Sequence, residues 1–248
     1  MIDPPLRDLL LDGARPRFAG LRVISDVHGQ AEAFAAAVAD AAARNLAVLQ
    51  LGDLIDRGPS SDGAVRIALD LIAARRGLFV VGNHDDKLRR AVRGQPVRIG
   101  ANLRRSLEQL ERAGLAQRFA EAVATAPLWL RCAPAFFVHA AFGPGMLEQP
   151  APRNYGHPTT TKQPLAHLAL YGETTGALDA DGEPTRTYGW VDQIPAGLTV
   201  YIAHDIVRPG EITALTGKQG GRAMCLDTGA WLDGRVSWLD LDYAALGL

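Results

Sequence analysis

Leu21-Arg22-Val23-Ile24-Ser25-Asp26-Val27-His28-Gly29 sets an apolar run of strand length directly against a carboxylate and an imidazole. The pattern returns twice. Ala47-Val48-Leu49-Gln50-Leu51 leads into Gly52-Asp53-Leu54-Ile55-Asp56-Arg57-Gly58, and Leu78-Phe79-Val80-Val81 leads into Gly82-Asn83-His84-Asp85. Short apolar runs bounded by turn residues read as strands buried on both faces. Between them, Gln30 to Arg44 is Ala-rich and helix-favouring. Asp62 to Arg76 places Val65, Ala68, Leu69 and Ile72 at helical spacing and stops at Gly77. This order implies a βαβαβ unit with parallel strands and right-handed crossovers. Sheets of this kind carry their sites beyond the carboxyl ends of the strands. Polar clusters at successive strand ends therefore predict one shared site.

Outward from this unit, residues 85–125 read as helical, with breaks near Gly94–Gly100 and at Gly114. From Trp129 onward the pattern changes to short strands, at 135–140, 198–203, 222–226 and 236–241. The Pro/Gly/Thr-rich stretches 143–164 and 172–189 read as long loops, which are uncommon unless they serve a site. Residues 1–20, with three prolines and no sustained period, read as an N-terminal extension. Residues 21–248 read as one α/β domain with a mixed second sheet.

The 248 residues carry a net charge of −1 and are 48% hydrophobic, which excludes wholesale disorder. Near-zero charge removes the simplest argument for a nucleic-acid polymer as partner. The two cysteines, Cys132 and Cys225, cannot form a disulfide framework or a Cys-rich zinc site. No apolar run is long enough for a membrane span, and the first residues lack a leader pattern, so a cytoplasmic protein with no membrane partner is expected.

Asp26 and His28, at i and i+2, project to the same side of an extended chain and make a metal clamp, or else a helix cap beside a satisfied histidine. Asp53, Asp56 and Arg57 form either a turn with an Asp–Arg pair or an anion site, because guanidinium matches phosphate oxygens in a bidentate way. Asn83 offers a neutral oxygen ligand, and His84 a group that titrates near neutrality.

Taken in order, Asp-x-His, Gly-Asp-x-x-Asp-Arg-Gly and Gly-Asn-His-Asp resemble the calcineurin-like metallophosphoesterases. The Asp-Arg-Gly form is similar to their phosphoprotein phosphatase branch, in its bacterial and phage members. The resemblance implies a four-layer αββα sandwich of two mixed β-sheets flanked by helices. It implies two divalent metal ions, one on Asp26, His28 and Asp53, the other on Asp53, Asn83, His139 and His204. His139 follows the run Phe136-Phe137-Val138, with Ala140 and Ala141 where the family has glycines. His204 follows Val200-Tyr201-Ile202, with Ala203 where the family has glycine. Gly156-His157 offers a rival dipeptide, but no strand precedes it, so His204 is favoured. Oxygen and imidazole ligands without thiolate suit Mn²⁺, Fe or Zn²⁺ alike; with the resemblance, Mn²⁺ is the first expectation, and Fe, Zn²⁺ or Mg²⁺ are the alternatives.

The implied chemistry is phosphate ester hydrolysis by direct attack of a metal-bridging hydroxide. His84 would be the general acid, Asp56 would orient it, and Arg57 would bind phosphate oxygens beside Asn83. Tyr171 to Gly176 and Asp181 to Arg186 are similar to loops of bacterial polynucleotide kinase-phosphatases, which makes Arg186 a second phosphate clamp; no kinase P-loop is present. Phosphate monoesters, of phosphoprotein or small molecules, are the first substrate class implied. Dinucleoside polyphosphates, by similarity to the symmetrical diadenosine tetraphosphatases, and nucleic-acid ends or 2′,3′-phosphates are the alternatives. A non-catalytic phosphate-binding module is a remote one. From Lys87 to Leu107 there are seven basic residues and no acidic one, so this stretch is either a solvated helical face or a docking surface for extra phosphates. Asp227 is expected to be structural.

Overall fold

The computed structural model describes residues 1–153, 155–156, 161–178 and 184–248. The chain opens with α1 (Pro4–Leu10) and a small hairpin, β1 (Leu11–Asp12) and β2 (Arg15–Pro16). The expected βαβαβ unit follows as β3 (Gly20–Ile24), α2 (Ala31–Ala43), β4 (Leu46–Gln50), α3 (Ser61–Ala73) and β5 (Gly77–Phe79). Three helices come next: α4 (Asn83–Val92), α5 (Ala101–Arg112) and α6 (Ala116–Thr125). The second half contains β6 (Trp129–Cys132), β7 (Ala135–Val138), α7 (Gly145–Glu148), α8 (Pro164–Tyr171), β8 (Glu173–Leu178) and β9 (Pro184–Thr187). It closes with β10 (Thr199–Ile202), β11 (Thr213–Thr216), β12 (Arg222–Cys225), α9 (Ala230–Asp233) and β13 (Trp238–Leu241).

Two mixed sheets form. One has the order β13-β3-β4-β5 and the other β11-β12-β10-β7-β6. In the first, β3, β4 and β5 run parallel while β13 pairs antiparallel with β3. In the second, β10 runs parallel to both β7 and β12, with β6 and β11 antiparallel at the edges.

Alternation along each strand builds the layers. Leu21, Val23, Ala47 and Leu49 turn inward to meet Ala135, Phe137, Tyr201 and Ala203 of the facing sheet. Ile24 and Val48 turn outward onto Phe34, Ala37, Ala41 and Val65 of α2 and α3, and Phe136, Val138 and Val200 join the same outer cluster. The result is the helix–sheet–sheet–helix sandwich.

Several segments differ from the sequence expectation: α7 lies within the stretch 143–164 expected as a loop, and β11 and α9 fall where no element was expected. Within residues 1–20, α1 buries Leu6, Leu9 and Leu10 in the core between the sheets. Seven residues hold barely two turns, too few to show a period in the sequence. Residues 172–189, expected as a long loop, carry the β8–β9 hairpin, whose register shifts between Thr174 and Leu178. Its exposed strands lack the buried face that makes alternation visible. No helix among the described residues is long and apolar enough to cross a membrane.

Candidate metal centre

Strand register brings the sequence clusters to one level. Ile24 pairs with Gln50, and Gln50 with Phe79, so β3, β4 and β5 end side by side and release Asp26, Asp53 and Asn83 together. On the facing sheet Tyr201 pairs with Phe137, and one step further the Ala203 N–H donates to the His139 carbonyl at 2.9 Å. His139 and His204 therefore emerge next to each other, opposite the first three loops.

The turns that aim these side chains are unusual. His28 (φ 44°), Asp53 (56°), Asp56 (70°), Arg57 (66°) and His204 (67°) all lie in the left-handed region. Such conformations cost roughly 1–3 kcal/mol each for residues other than glycine and gather at functional sites. Backbones also approach closely: a Cβ on Gly52 would lie 2.5 Å from Gly82 N and 2.8 Å from His139 Nδ1.

Hydrogen bonds fix which ring nitrogens face the centre. His28 Nδ1 donates to the Ile55 carbonyl at 2.9 Å, and His139 Nδ1 to the Leu51 carbonyl at 2.8 Å. A carbonyl only accepts, so in the neutral ring each Nε2 keeps its lone pair. His28 Nε2 faces Asp26 Oδ2 at 3.5 Å and Asp53 Oδ2 at 3.7 Å. His139 Nε2 faces Asn83 Oδ1 at 3.1 Å, Asp53 Oδ1 at 3.6 Å and His204 Nδ1 at 3.0 Å. Lone pairs turned on carboxylates in a buried site call for a cation between them. Asp26 Oδ2 and His204 Nε2 are buried with no hydrogen-bond partner among the described residues, as open ligand atoms would be. Two groups have their ligand atoms within 4.8 Å of one another: His28, Asp53 and His84, and Asp53, His139 and His204. Asp53 belongs to both, so the donor set fits a dinuclear divalent-metal site. The resemblance set Asp26 beside His28 and Asp53, and the geometry gathers it there; His84 Nε2 stands at the edge of this group, 3.9 Å from Asp53 Oδ2, with its other ring nitrogen tied to Asp56.

The electrostatics agree with this fit. Burial pushes the Asp53 carboxyl up, but the neighbouring imidazoles, His139 and His84 foremost, outweigh it and hold it far below the usual carboxylate range. Burial, followed by the nearby Asp227 and Asp53 carboxylates, pushes Asp26 well above that range. This is an excess of buried negative charge that a cation would relieve. Burial lowers His28 and, more strongly, His204, which keeps both imidazoles neutral, the form that binds metal.

The groups expected to handle the substrate sit at the rim. His84, 13% exposed, donates Nδ1–H to Asp56 Oδ2 at 2.6 Å. The other oxygen of Asp56 accepts from the Ser106 hydroxyl at 2.6 Å. Arg57 lies over the Trp231 ring. Arg186, on β9, donates to the Tyr171 carbonyl and lines a small cavity with His204, Asp205, Ala140 and Gly172, which brings it to the edge of the centre. His157 lies outside the described residues. The basic 87–105 stretch is not uniformly solvated: Arg89 and Arg90 are buried against the Asp86 carboxylate, at 2.6 and 3.0 Å.

Several contributors escaped the sequence reading. Asp85, fully buried, accepts the N–H groups of Asp53 (2.8 Å), Leu54 (3.0 Å) and Gly82 (3.2 Å), locking the loop that presents Asp53. Gln50 ties two loops together through Ser25 O (3.2 Å) and Gly52 N (2.9 Å). A polar residue ending an apolar strand is a signal the sequence does carry. Ser106, fifty residues from Asp56, leaves none. Asp227 is buried and accepts from Gly229 N at 2.9 Å.

A family model described as calcineurin-like phosphoesterase matches residues 21–183. The chain is 26% identical over 193 residues to bis(5′-nucleosyl)-tetraphosphatase PrpE [asymmetrical] of Geobacillus sp. (strain WCH70), covering 75% of this chain and 72% of that protein. It is 27% identical over 195 residues to the protein of the same name from Halalkalibacterium halodurans, covering 76% and 72%. Its fold is similar to a cold-active protein-tyrosine phosphatase of a psychrophilic Shewanella (TM-score 0.57, 11% identity, 90% of this chain and 75% of that one). A serine/threonine phosphatase from Saccharomyces cerevisiae shares it too (TM-score 0.53, 12% identity, 85% and 68%). Together with two candidate metal clusters that share one carboxylate, the match shows that this chain belongs to the calcineurin-like phosphoesterase family and is a metal-dependent hydrolase.

Proposed function

We propose that the protein hydrolyses dinucleoside polyphosphates, using Asp26, His28, Asp53, Asn83, His139 and His204 to hold two divalent cations, with Mn²⁺ preferred. The sequence reading put phosphate monoesters first and these substrates second. Relatives matched over about three quarters of the chain carry the name bis(5′-nucleosyl)-tetraphosphatase, which favours the opposite order. They carry the asymmetrical form of that name, so cleavage nearer one end of the phosphate chain replaces the symmetrical cut that the sequence resemblance suggested.

The observation that supports the reading most is the pair of ligand groups sharing Asp53 beside the His84–Asp56 pair. A phosphate chain is polyanionic, and two bound cations supply charge neutralisation and a water of lowered pKa. The residues of the chain do the rest. Asp56 accepts His84 Nδ1–H, so His84 presents Nε2 to the leaving oxygen and gives it a proton. Arg57 binds oxygens of the attacked phosphate as charge builds on them, and Arg186 binds a neighbouring phosphate. Gly52 and Gly82, with no side chains between them, let the loops bearing Asp53 and Asn83 pack directly against each other.

The test is product analysis. Diadenosine tetraphosphate with Mn²⁺ should yield equal amounts of ATP and AMP on anion-exchange separation. Two ADP per substrate would overturn the asymmetrical cut. Turnover of p-nitrophenyl phosphate or a phosphopeptide, with the dinucleotide left intact, would overturn the substrate class.

A further inference from the structure

The short helix α9 carries two adjacent apolar side chains that remain open, Trp231 at 41% and Leu232 at 53% exposure. Single exposed apolar residues are ordinary, but this pair stands at the metal centre. The guanidinium carbon of Arg57 lies 4.9 Å from the centroid of the Trp231 ring. Arg57 directly follows Asp56, and its charge acts on buried His28 and Asp227. The α9 segment is also held against both halves of the centre. A Cβ on Gly229 would lie 3.3 Å from Ile206, two residues after His204, and one on Gly234 would lie 3.9 Å from Gln30, two residues after His28. A partly exposed indole ring thus adjoins a half-buried cation beside the candidate metal centre. That juxtaposition suits a ligand with a phosphate at one end and a planar ring at the other, because every base has a π-face and stacking tolerates any sequence.

We propose that Trp231 is the stacking platform for the nucleobase attached to the phosphate that Arg57 binds, and that it makes the protein favour nucleoside polyphosphates over ring-free phosphates. The inference rests on the reading of Arg57 as a phosphate-binding residue and deepens the proposed substrate class. A residue that merely steered Arg57 would affect every phosphate equally, whereas a base platform affects only those carrying a ring.

KM measured with Mn²⁺ for diadenosine tetraphosphate and for inorganic tetraphosphate, in the wild type, Trp231→Ala and Trp231→Phe, separates the two. Trp231→Ala should raise KM for the dinucleotide about tenfold more than KM for inorganic tetraphosphate, and Trp231→Phe should restore most of the difference. An equal rise for both substrates, or none, would overturn the proposal. Equilibrium dialysis against AMP and inorganic phosphate reads the same preference without turnover. If the wild type cleaves no dinucleotide but still binds AMP more tightly than phosphate, and Trp231→Ala erases that margin, the platform stands and the proposed reaction falls. Equal affinities for AMP and phosphate in the wild type would overturn the platform itself.

Discussion

The two sheets meet at one centre but supply it unequally. The four-stranded sheet sends Asp26, His28, Asp53, Asn83 and His84 from the ends of three adjacent parallel strands, through turns in which four site residues, His28, Asp53, Asp56 and Arg57, take left-handed backbone. Of the candidate ligands, the five-stranded sheet sends His139 and His204, from neighbouring strands, and burial keeps the His204 imidazole neutral. All the candidate carboxylate ligands, and the His84–Asp56 pair, belong to the first sheet. Hydrogen bonds join the halves at the centre, among them His139 Nδ1 to Leu51 O at 2.8 Å, His139 Nε2 with Asn83 Oδ1 at 3.1 Å and His204 N–H to Asp26 Oδ1 at 3.3 Å. The difference teaches that charge and chemistry are concentrated in one half of the fold. The other half adds His139 and His204 to one of the two candidate ligand groups.

Replacing Asp53 should break the comparison most severely, because its carboxylate is shared by both ligand groups. Asp53→Asn is expected to leave less than one metal ion per chain and to lower kcat/KM by at least about 10³-fold, as loss of several kcal/mol of charge stabilisation implies. Metal analysis alongside kinetics checks both figures. His84→Asn should cost about 10²–10⁴-fold on an alkyl phosphate monoester but clearly less on a phosphoanhydride, whose leaving oxygen needs less protonation. Equal losses on the two substrates would remove His84 from that role.

His204→Ala probes the lighter half. It should bring metal content from two ions to one while the first-sheet ligands keep theirs, and a His157→Ala control should keep two. The smallest effect is expected from Asp85→Asn, which leaves every proposed ligand in place but weakens the three N–H contacts that hold the Asp53 loop. Second-layer changes of this kind cost about 10–100-fold in metal affinity, measurable by titration with Mn²⁺.

The same asymmetry governs what can be read from the sequence. The first sheet announces itself because apolar strand, glycine and ligand are contiguous, as in Leu49-Gln50-Leu51-Gly52-Asp53, and three such passages repeat in order. His139 and His204 stand alone after their strands, 65 residues apart, and only the requirement for more imidazole ligands singles them out. Long-range partners leave no trace at all. Ser106 reaches Asp56 from α5, and Trp231 reaches Arg57 from α9. The α1 helix was hidden for another reason: its amphipathic run is shorter than the window in which periodicity shows.

Asp53 belongs to both candidate ligand groups, so two cations held here would lie close enough to interact. Electron paramagnetic resonance of the full chain loaded with Mn²⁺ tests it most directly. The account predicts the spectrum of an exchange-coupled pair in the wild type, collapsing to that of an isolated ion in His204→Ala. An isolated-ion spectrum in the wild type at saturating Mn²⁺ would contradict it.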